Sequence, residues 1–237
     1  MFNAQQSMFN AQRSMKWYTV SMNRDVDFLY ELGAIRLIDR QWRRFHSQNF
    51  ANLADHHFRV AWIALVIAAR EGVQVDTGKI VKMALVHDIA ESRTGDADYL
   101  SRQYVTRDEA GAAKDMMEGT SIGEEFVALL AEYEERECLE AKIVKDADNL
   151  DVDMELCEQA MQGNALRKTW QANRLLVADT KLYTKTARAM WDEIQNTDPD
   201  HWHAGSPKNR VNGGDWKPKN KTQQGTDKQK TDPPTTI

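Results

Sequence analysis

Residues 85–96 have the sequence LVHDIAESRTGD, which places a histidine, three acids and an arginine at the end of an apolar run. Helical spacing extends this run back to a start near Asp76. One face of that predicted helix carries Ile80, Met83, Ala84, His87 and Glu91. Asp88 adjoins the same face. A lone buried histidine is usually a hydrogen-bonded core residue, but three ionisable groups that converge on one buried face are costly unless something compensates them. A divalent metal ion is the simplest compensation.

Two other segments offer further metal ligands. Asp55-His56-His57 opens the preceding apolar helix, and KIVKDADNLDVDMEL, residues 142–156, sets four aspartates among apolar spacers. Each has an ordinary alternative, because the histidines could simply lie near a helix start and the aspartates on a solvated face. Periodicity does not choose between His56 and His57, or between Asp146 and Asp148, because both faces of each helix continue with apolar residues.

The order of these residues resembles that of the HD-domain metal-dependent phosphohydrolases, most closely the small 5'-deoxynucleotidase branch. The resemblance rests on His56, His87-Asp88 and Asp148, with HDIAE followed by TGD, and covers about residues 26–196. It implies a compact multi-helix bundle with one divalent ion. The implied metal ligands are His56, His87, Asp88 and Asp148, the implied catalytic acids Glu91 and Asp96, and the implied substrate-binding residues Arg40 for phosphate and Trp42 near the nucleoside.

The arginine segment departs from that branch. There the arginine is followed directly by tryptophan, whereas Gln41 separates Arg40 from Trp42 here. The neighbouring arginines are alternatives for the phosphate contact: Arg36, Arg43 and Arg44.

The expected chemistry is phosphoester hydrolysis. Two imidazoles and two carboxylates suit Mn²⁺, Co²⁺, Fe²⁺ or Ni²⁺. An arginine can bind phosphate oxygens with two parallel donors, and no GxxxxGK phosphate loop is present to replace it. We expect hydrolysis of nucleoside 5'-monophosphates, deoxynucleotides in particular. The alternatives are hydrolysis of nucleoside triphosphates or another phosphorylated metabolite and, in a different class, a non-catalytic nucleotide-binding or scaffold module with a structural metal. The acids Glu91 and Asp96 argue against the scaffold module, because a structural metal needs no additional acids beside its ligands. The resemblance also implies a homodimer.

Proline placement predicts an all-α fold. All five prolines follow residue 198, and alternating β-branched runs are lacking. The predicted helices are about 25–45, 51–71, 76–92, 107–118, 122–137, 139–162 and 166–196, the last with possible breaks. We expect a flexible extension over 1–22, the phosphohydrolase domain over 23–204 and a disordered basic tail over 205–237. The tail carries a net charge of +4 and few aliphatic residues.

Composition limits the location and the partners. The chain has 237 residues with a net charge of −5, which argues against a protein built mainly to bind nucleic acid. A run of about 20 apolar residues is absent, so we expect no membrane span. Two cysteines in helical sequence favour a reducing compartment. We therefore expect a cytoplasmic protein that acts on a small-molecule nucleotide.

Overall fold

A computed structural model describes residues 24–46 and 50–205. Its α-helices are α1 (Arg24–Leu32), α2 (Arg43–His46), α3 (Leu53–Glu71), α4 (Thr77–Val86), α5 (Glu91–Thr94), α6 (Glu109–Met117), α7 (Gly123–Glu135), α8 (Leu139–Met161), α9 (Leu166–Thr169), α10 (Gln171–Thr180), α11 (Lys185–Asn196) and α12 (His201–Ala204). Short 3₁₀ helices cover Gly33–Leu37 and Ser101–Gln103. The described residues form no β-strand, which confirms the predicted all-α class. The predicted extension, 1–22, and residues 206–237 of the predicted tail lie outside the described residues.

Polar side chains set the starts of the long helices. Asn52 and Asp55 cap α3 reciprocally, each side chain accepting a hydrogen bond from the other residue's backbone N–H. Asp76 caps α4 by accepting from the N–H of Lys79 at 2.9 Å, and Thr184 caps α11. These caps place the starts of α3 and α4 within about two residues of the predicted positions, and so fix which residues enter the core.

The core is built around α8, which packs against α3, α4, α7, α9 and α11. Its largest cluster of buried side chains comes from these long helices and includes Val60, Ile67, Ile80, Met83, Tyr133, Ile143 and Leu150. Burying each aliphatic side chain contributes roughly 1.5–3 kcal/mol before the entropy cost of folding. The histidine end of α4 and the aspartate segment of α8 are thereby held against the start of α3.

The prediction of a single helix over 25–45 is wrong. The chain forms α1, a 3₁₀ helix and the short α2 instead. Between the last two, Asp39 forms an antiparallel bridge with Asn52, and the N–H of Leu53 donates to the carbonyl of Ile38 at 2.9 Å. A continuous helix over this range would not allow the extended pairing of Ile38 and Asp39 with Asn52 and Leu53. The break leaves Arg40 in a buried turn, 6% exposed.

The helix predicted over 76–92 is also divided. α4 ends at Val86, and the following residues form tight turns before α5 begins at Glu91. The N–H of Glu91 donates to the carbonyl of Asp88 at 3.0 Å, three residues back rather than four. The predicted buried face nevertheless survives, because His87 and Glu91 are 4% and 3% exposed.

The chain separates into two contact units, which divide after Thr197. The described part of the second unit is short and contains α12. None of the described helices is long and apolar enough to cross a membrane. Both cysteines are free thiols.

Candidate metal centre

Four side chains converge where α3, α8 and the end of α4 meet. The group is His56, His87, Asp88 and Asp148, and one ligand atom from each lies within 4.8 Å of all the others. Both histidine side chains are fully buried, while those of Asp88 and Asp148 are 26% and 14% exposed. The group therefore has buried nitrogen donors and two carboxylates that border solvent.

The hydrogen bonds of the two histidines determine which nitrogen atoms face inwards without a proton. Nδ1 of His87 lies 2.8 Å from the carbonyl oxygen of Ala84, which can only accept, so this nitrogen donates. Nδ1 of His56 lies 2.6 Å from Oδ2 of Asp151 and donates likewise. In the neutral rings, both Nε2 atoms then carry lone pairs, and they lie 3.2 Å apart. Two facing lone pairs repel each other unless a cation or a proton lies between them.

Electrostatics at the centre favour a positive charge. Burial and the charge of Arg40 act to lower the pKa of His56, but hydrogen bonds to three neighbouring aspartates outweigh them and raise this pKa well above its usual value. Burial acts to raise the pKa of Asp148, but the charge of Lys145 and a hydrogen bond from His56 hold it well below its usual range. A divalent cation supplies the positive charge that this set of groups attracts, so the donor set fits such an ion.

The structure separates the residue pairs that periodicity left open. His56 joins the group, whereas Nε2 of the buried His57 has no hydrogen-bond partner among the described residues. Asp148 also joins it, whereas the fully buried Asp146 points to the start of α11. There Asp146 accepts from the N–H of Tyr183 at 2.7 Å and from the N–H and hydroxyl of Thr184 at 2.8 Å each.

Arg40 is the arginine that reaches the group. Its Nη1 lies 3.7 Å from Oδ2 of Asp88, and its Nε lies 3.7 Å from Oδ2 of Asp96. The backbone N–H of Gln41 donates to the same Asp96 oxygen at 2.8 Å, which gives the extra residue a structural role. Two of the alternative arginines bind elsewhere, Arg43 to Asp39 and Arg44 to Asp98.

Trp42 borders a cavity that opens beside the group. The cavity measures about 210 Å³ and is also lined by Arg40, Asp88, Asp96, Asp148 and Lys145. The Trp42 ring packs on Trp170 with centroids 4.5 Å apart, and the Arg40 guanidinium carbon lies 5.9 Å from the Trp42 centroid. These two contacts help to hold the indole in place at the cavity wall.

Glu91 is held from one side by Arg107, a residue that the sequence did not single out. Nη1 of Arg107 lies 3.3 Å from Oε1 of Glu91 and also donates to the carbonyl of Gly95. Oε2 of Glu91 is buried and has no hydrogen-bond partner among the described residues. Burial, followed by the charges of Asp88 and Asp96, raises the pKa of Glu91 to about 9. Glu91, Arg107, His87 and Asp88 line a second cavity of about 530 Å³.

Two contacts around the centre were not predicted, for different reasons. Asp151 bonds His56 and lies one helical turn after Asp148, so its spacing on α8 was a usable signal. Arg107 lies in the chain between Asp96 and α6, and only the tertiary fold brings it to Glu91. Periodicity carries no information about such a loop contact.

Comparison with solved structures supports the fold. A protein from Pyrococcus furiosus aligns with a TM-score of 0.60 and 26% identity over 73% of this chain and 99% of its own. A "Predicted metal-dependent phosphohydrolase" from Magnetospirillum magnetotacticum MS-1 aligns with a TM-score of 0.59, covering 73% of this chain and 90% of its own, at 23% identity. The second similarity concerns the fold alone.

Comparison with curated proteins and family models extends the similarity to sequence. The 5'-deoxynucleotidase HDDC2 of Dictyostelium discoideum is 28% identical over 156 residues, 61% of this chain and 82% of the relative. The human protein of the same name is 30% identical over 145 residues, 59% of this chain and 66% of the relative. The HD domain model matches residues 32–191, which include the whole His/Asp group and both flanking acids. The chain belongs to the HD domain family.

Proposed function

We propose that this protein is a divalent-metal-dependent phosphohydrolase that cleaves nucleoside 5'-monophosphates, deoxynucleotides in particular, to nucleoside and inorganic phosphate. The observation that carries the proposal is the pair of His56 and His87 Nε2 atoms, 3.2 Å apart and flanked by two carboxylates. The similarity to proteins named 5'-deoxynucleotidase supports a monophosphate substrate.

The proposed metal ligands are His56, His87, Asp88 and Asp148. An ion bound there would lower the pKa of a water molecule and neutralise charge on the phosphoryl group. Mn²⁺, Co²⁺, Fe²⁺ and Ni²⁺ all suit this mixed nitrogen and oxygen set. Asp151 supports the set by holding the His56 ring in the tautomer that presents Nε2.

Arg40 is the proposed phosphate-binding residue. Its guanidinium is buried, always charged, and lies beside Asp88 at the wall of the 210 Å³ cavity. A planar guanidinium can donate two parallel hydrogen bonds to phosphate oxygens, which orients the phosphorus for attack. Trp42, in the same wall, offers an apolar face to the nucleoside.

Glu91 and Asp96 are the proposed proton-handling acids. A water oxygen forms a bond to phosphorus, the bond from phosphorus to the 5' oxygen breaks, and the nucleoside leaves as an alcohol. One proton must leave the water and one must reach the 5' oxygen. The unpartnered Oε2 of Glu91 can exchange a proton in this way. Asp96 positions Arg40 and the Gln41 backbone, so its main proposed contribution is to orient the phosphate site.

A purely structural metal explains less of the site. Such a centre needs ligands, but it gives no reason to bury Glu91 with one oxygen unpaired, which costs roughly 1–3 kcal/mol or more. A catalytic acid next to the reacting groups gives that reason.

The test is a substrate screen of the full chain, purified without chelators. Deoxy- and ribonucleoside mono- and triphosphates are each incubated with Mn²⁺, Co²⁺, Fe²⁺ or Ni²⁺, and the products are identified. We expect inorganic phosphate and nucleoside from monophosphates, and no product from the chelated protein or from Asp88→Ala. Pyrophosphate or triphosphate as the product would assign the activity to triphosphates. Nucleotide and metal binding without turnover would favour the scaffold alternative.

Three further parts of the proposal concern the whole chain. We propose a cytoplasmic homodimer whose functional domain spans 23–204. The exposed apolar side chains of Phe58, Trp62 and Val66, spaced four residues apart on α3, offer a surface for self-association. Sedimentation measures the oligomeric state, and truncation to 23–204 with retained turnover tests the boundaries.

A further inference from the structure

A third cavity, which the proposed reaction does not use, lies between α8, α9, α10 and α11. It measures about 490 Å³, which is large enough for a mononucleotide-sized ligand. The side chains that decide its chemistry are Asn164, Arg167, Lys168, Trp191 and Gln195. None of them lines the cavity beside the metal group.

Two buried donors at this cavity have no acceptor in the part of the chain that the structure describes. Asn164 is 8% exposed, and its Oδ1 accepts from the N–H of Leu166 at 2.8 Å. That bond fixes the orientation of the amide, so the Nδ2 group must find its acceptor elsewhere, and none exists among the described residues. The indole Nε1 of Trp191 also has no acceptor there. Buried donors of this kind are usually paired, so both point to an acceptor that a ligand supplies.

The charges at the cavity leave two cations uncompensated. Asp153 is neutralised by Arg174 at 2.6 Å, and Asp192 by Arg188 at 2.7 Å. Arg167 contacts only the oxygens of Gln195, at 3.0 and 3.1 Å, and has no carboxylate partner in the described ranges. Lys168, which is exposed to solvent, also has no carboxylate partner among the described residues. The remaining charge is therefore positive, which favours an anion.

We propose that this cavity binds a second anionic ligand, a small organic phosphate. The phosphate would pair with Arg167 and Lys168 and accept from Asn164, and the organic part would lie on the apolar floor formed by Leu156 and Ala160. Arginine and lysine without carboxylate partners, next to unpaired donors, match the many acceptor oxygens of a phosphate group. The proposal is independent of turnover at the metal centre.

The site predicts which variants lose binding. Arg167→Ala with Lys168→Ala removes both cations. Asn164→Asp keeps the acceptor for the Leu166 N–H but replaces the donor with a second oxygen, which repels an anion. Each change should weaken binding at this site at least about tenfold, the loss expected for a charge-assisted hydrogen bond. Lys181→Ala, an exposed cation outside the cavity, is the matched control.

Isothermal titration of the metal-loaded full chain tests the proposal. The probes are a nucleoside 5'-phosphonate, whose P–C bond resists hydrolysis, and inorganic phosphate. Wild type and Lys181→Ala should bind two equivalents of phosphonate. Arg40→Ala should lose the equivalent at the metal centre and keep the one at the second site. The Arg167/Lys168 double variant and Asn164→Asp should lose the equivalent at the second site. All variants should keep the wild-type circular dichroism spectrum. Inorganic phosphate that binds equally well at the second site would show that the phosphate group alone is recognised, and weaker binding would show that the organic part contributes.

Two results would overturn the second site. The first is that wild type binds a single equivalent, which disappears in Arg40→Ala. The second is that two equivalents persist in the Arg167/Lys168 double variant. Neither result depends on catalysis, so the proposed nucleotidase activity can fail or hold separately.

Discussion

Oδ2 of Asp151 lies 2.6 Å from Nδ1 of His56, and the other carboxylate oxygen of Asp151 binds Arg59. The carboxylate is thus held by two partners and fixes the imidazole so that Nε2 faces His87, Asp88 and Asp148. Partners of this kind typically change metal affinity by about 10–100-fold. We therefore expect Asp151→Asn to bind the metal about 10–100-fold more weakly, measured by competition with a chelator. Asp192→Asn, an exposed acid, should match wild type, and equal affinity in both variants would remove Asp151 from the site.

The neighbouring histidines should differ in metal binding. His56→Ala and His87→Ala remove proposed ligands, and Asp88→Ala removes a third, so each should lose the bound ion. His57→Ala should retain about one ion per chain, because His57 lies outside the ligand group although it is also buried. Elemental analysis of protein purified without chelators decides this. A His57 variant that loses the ion while His56→Ala keeps it would reverse the assignment.

Substitution of Asp146 and of Asp148 should have different effects, the first on stability and the second on metal binding. Asp148→Ala should lose metal and turnover but keep its fold. Asp146→Ala leaves three donors at the start of α11 without their acceptor. At roughly 1–3 kcal/mol for each unpaired buried donor, it should lose on the order of 3 kcal/mol or more of unfolding free energy. Metal analysis at low temperature measures the first effect, and urea denaturation measures the second. An Asp146→Ala variant that is as stable as wild type but lacks the metal would contradict both expectations.

Glu91 should matter for turnover more than for binding. Glu91→Gln keeps the size of the side chain and a polar group near Arg107 but removes the exchangeable carboxyl proton. We expect wild-type metal content and substrate affinity, with turnover reduced by about 10²–10⁴. Single-turnover kinetics with metal analysis measure this. Loss of the ion together with activity would make Glu91 a ligand, and full activity would leave it without a catalytic role.

Asp98 should make stability depend on pH. Burial acts to raise its pKa, but hydrogen bonds from Ser101 and Arg44 lower it to about 2. Because the folded pKa lies below the unfolded one, the stabilisation is present above about pH 4 and is lost as the pH falls towards 2. Asp98→Asn should therefore be less stable by roughly 1–2 kcal/mol at pH 7, and the difference should narrow between pH 5 and pH 3. A difference independent of pH in denaturant titrations would show that the charge is not the cause.

The helical class and the buried ionisable face could be predicted from the sequence because both depend on local spacing. Proline absence and capping residues such as Asn52 and Asp76 mark where helices begin. The 3.6-residue period places His87 and Glu91 on the same core-facing side of the predicted helix as Met83, and both residues are buried. Each of these signals acts within a few residues along the chain.

Only the tertiary structure decided which side chains meet. Both faces of α3 and α8 continue with apolar residues, so periodicity could not separate His56 from His57 or Asp146 from Asp148. The packing of α8 against α3 and α11 turns Asp148 towards His56 and Asp146 towards Thr184. The pairing of Ile38 with Leu53 likewise breaks the helix predicted over 25–45. Local sequence determined helix and burial, whereas contacts between residues distant in the chain depend on how the helices pack, which no local period encodes.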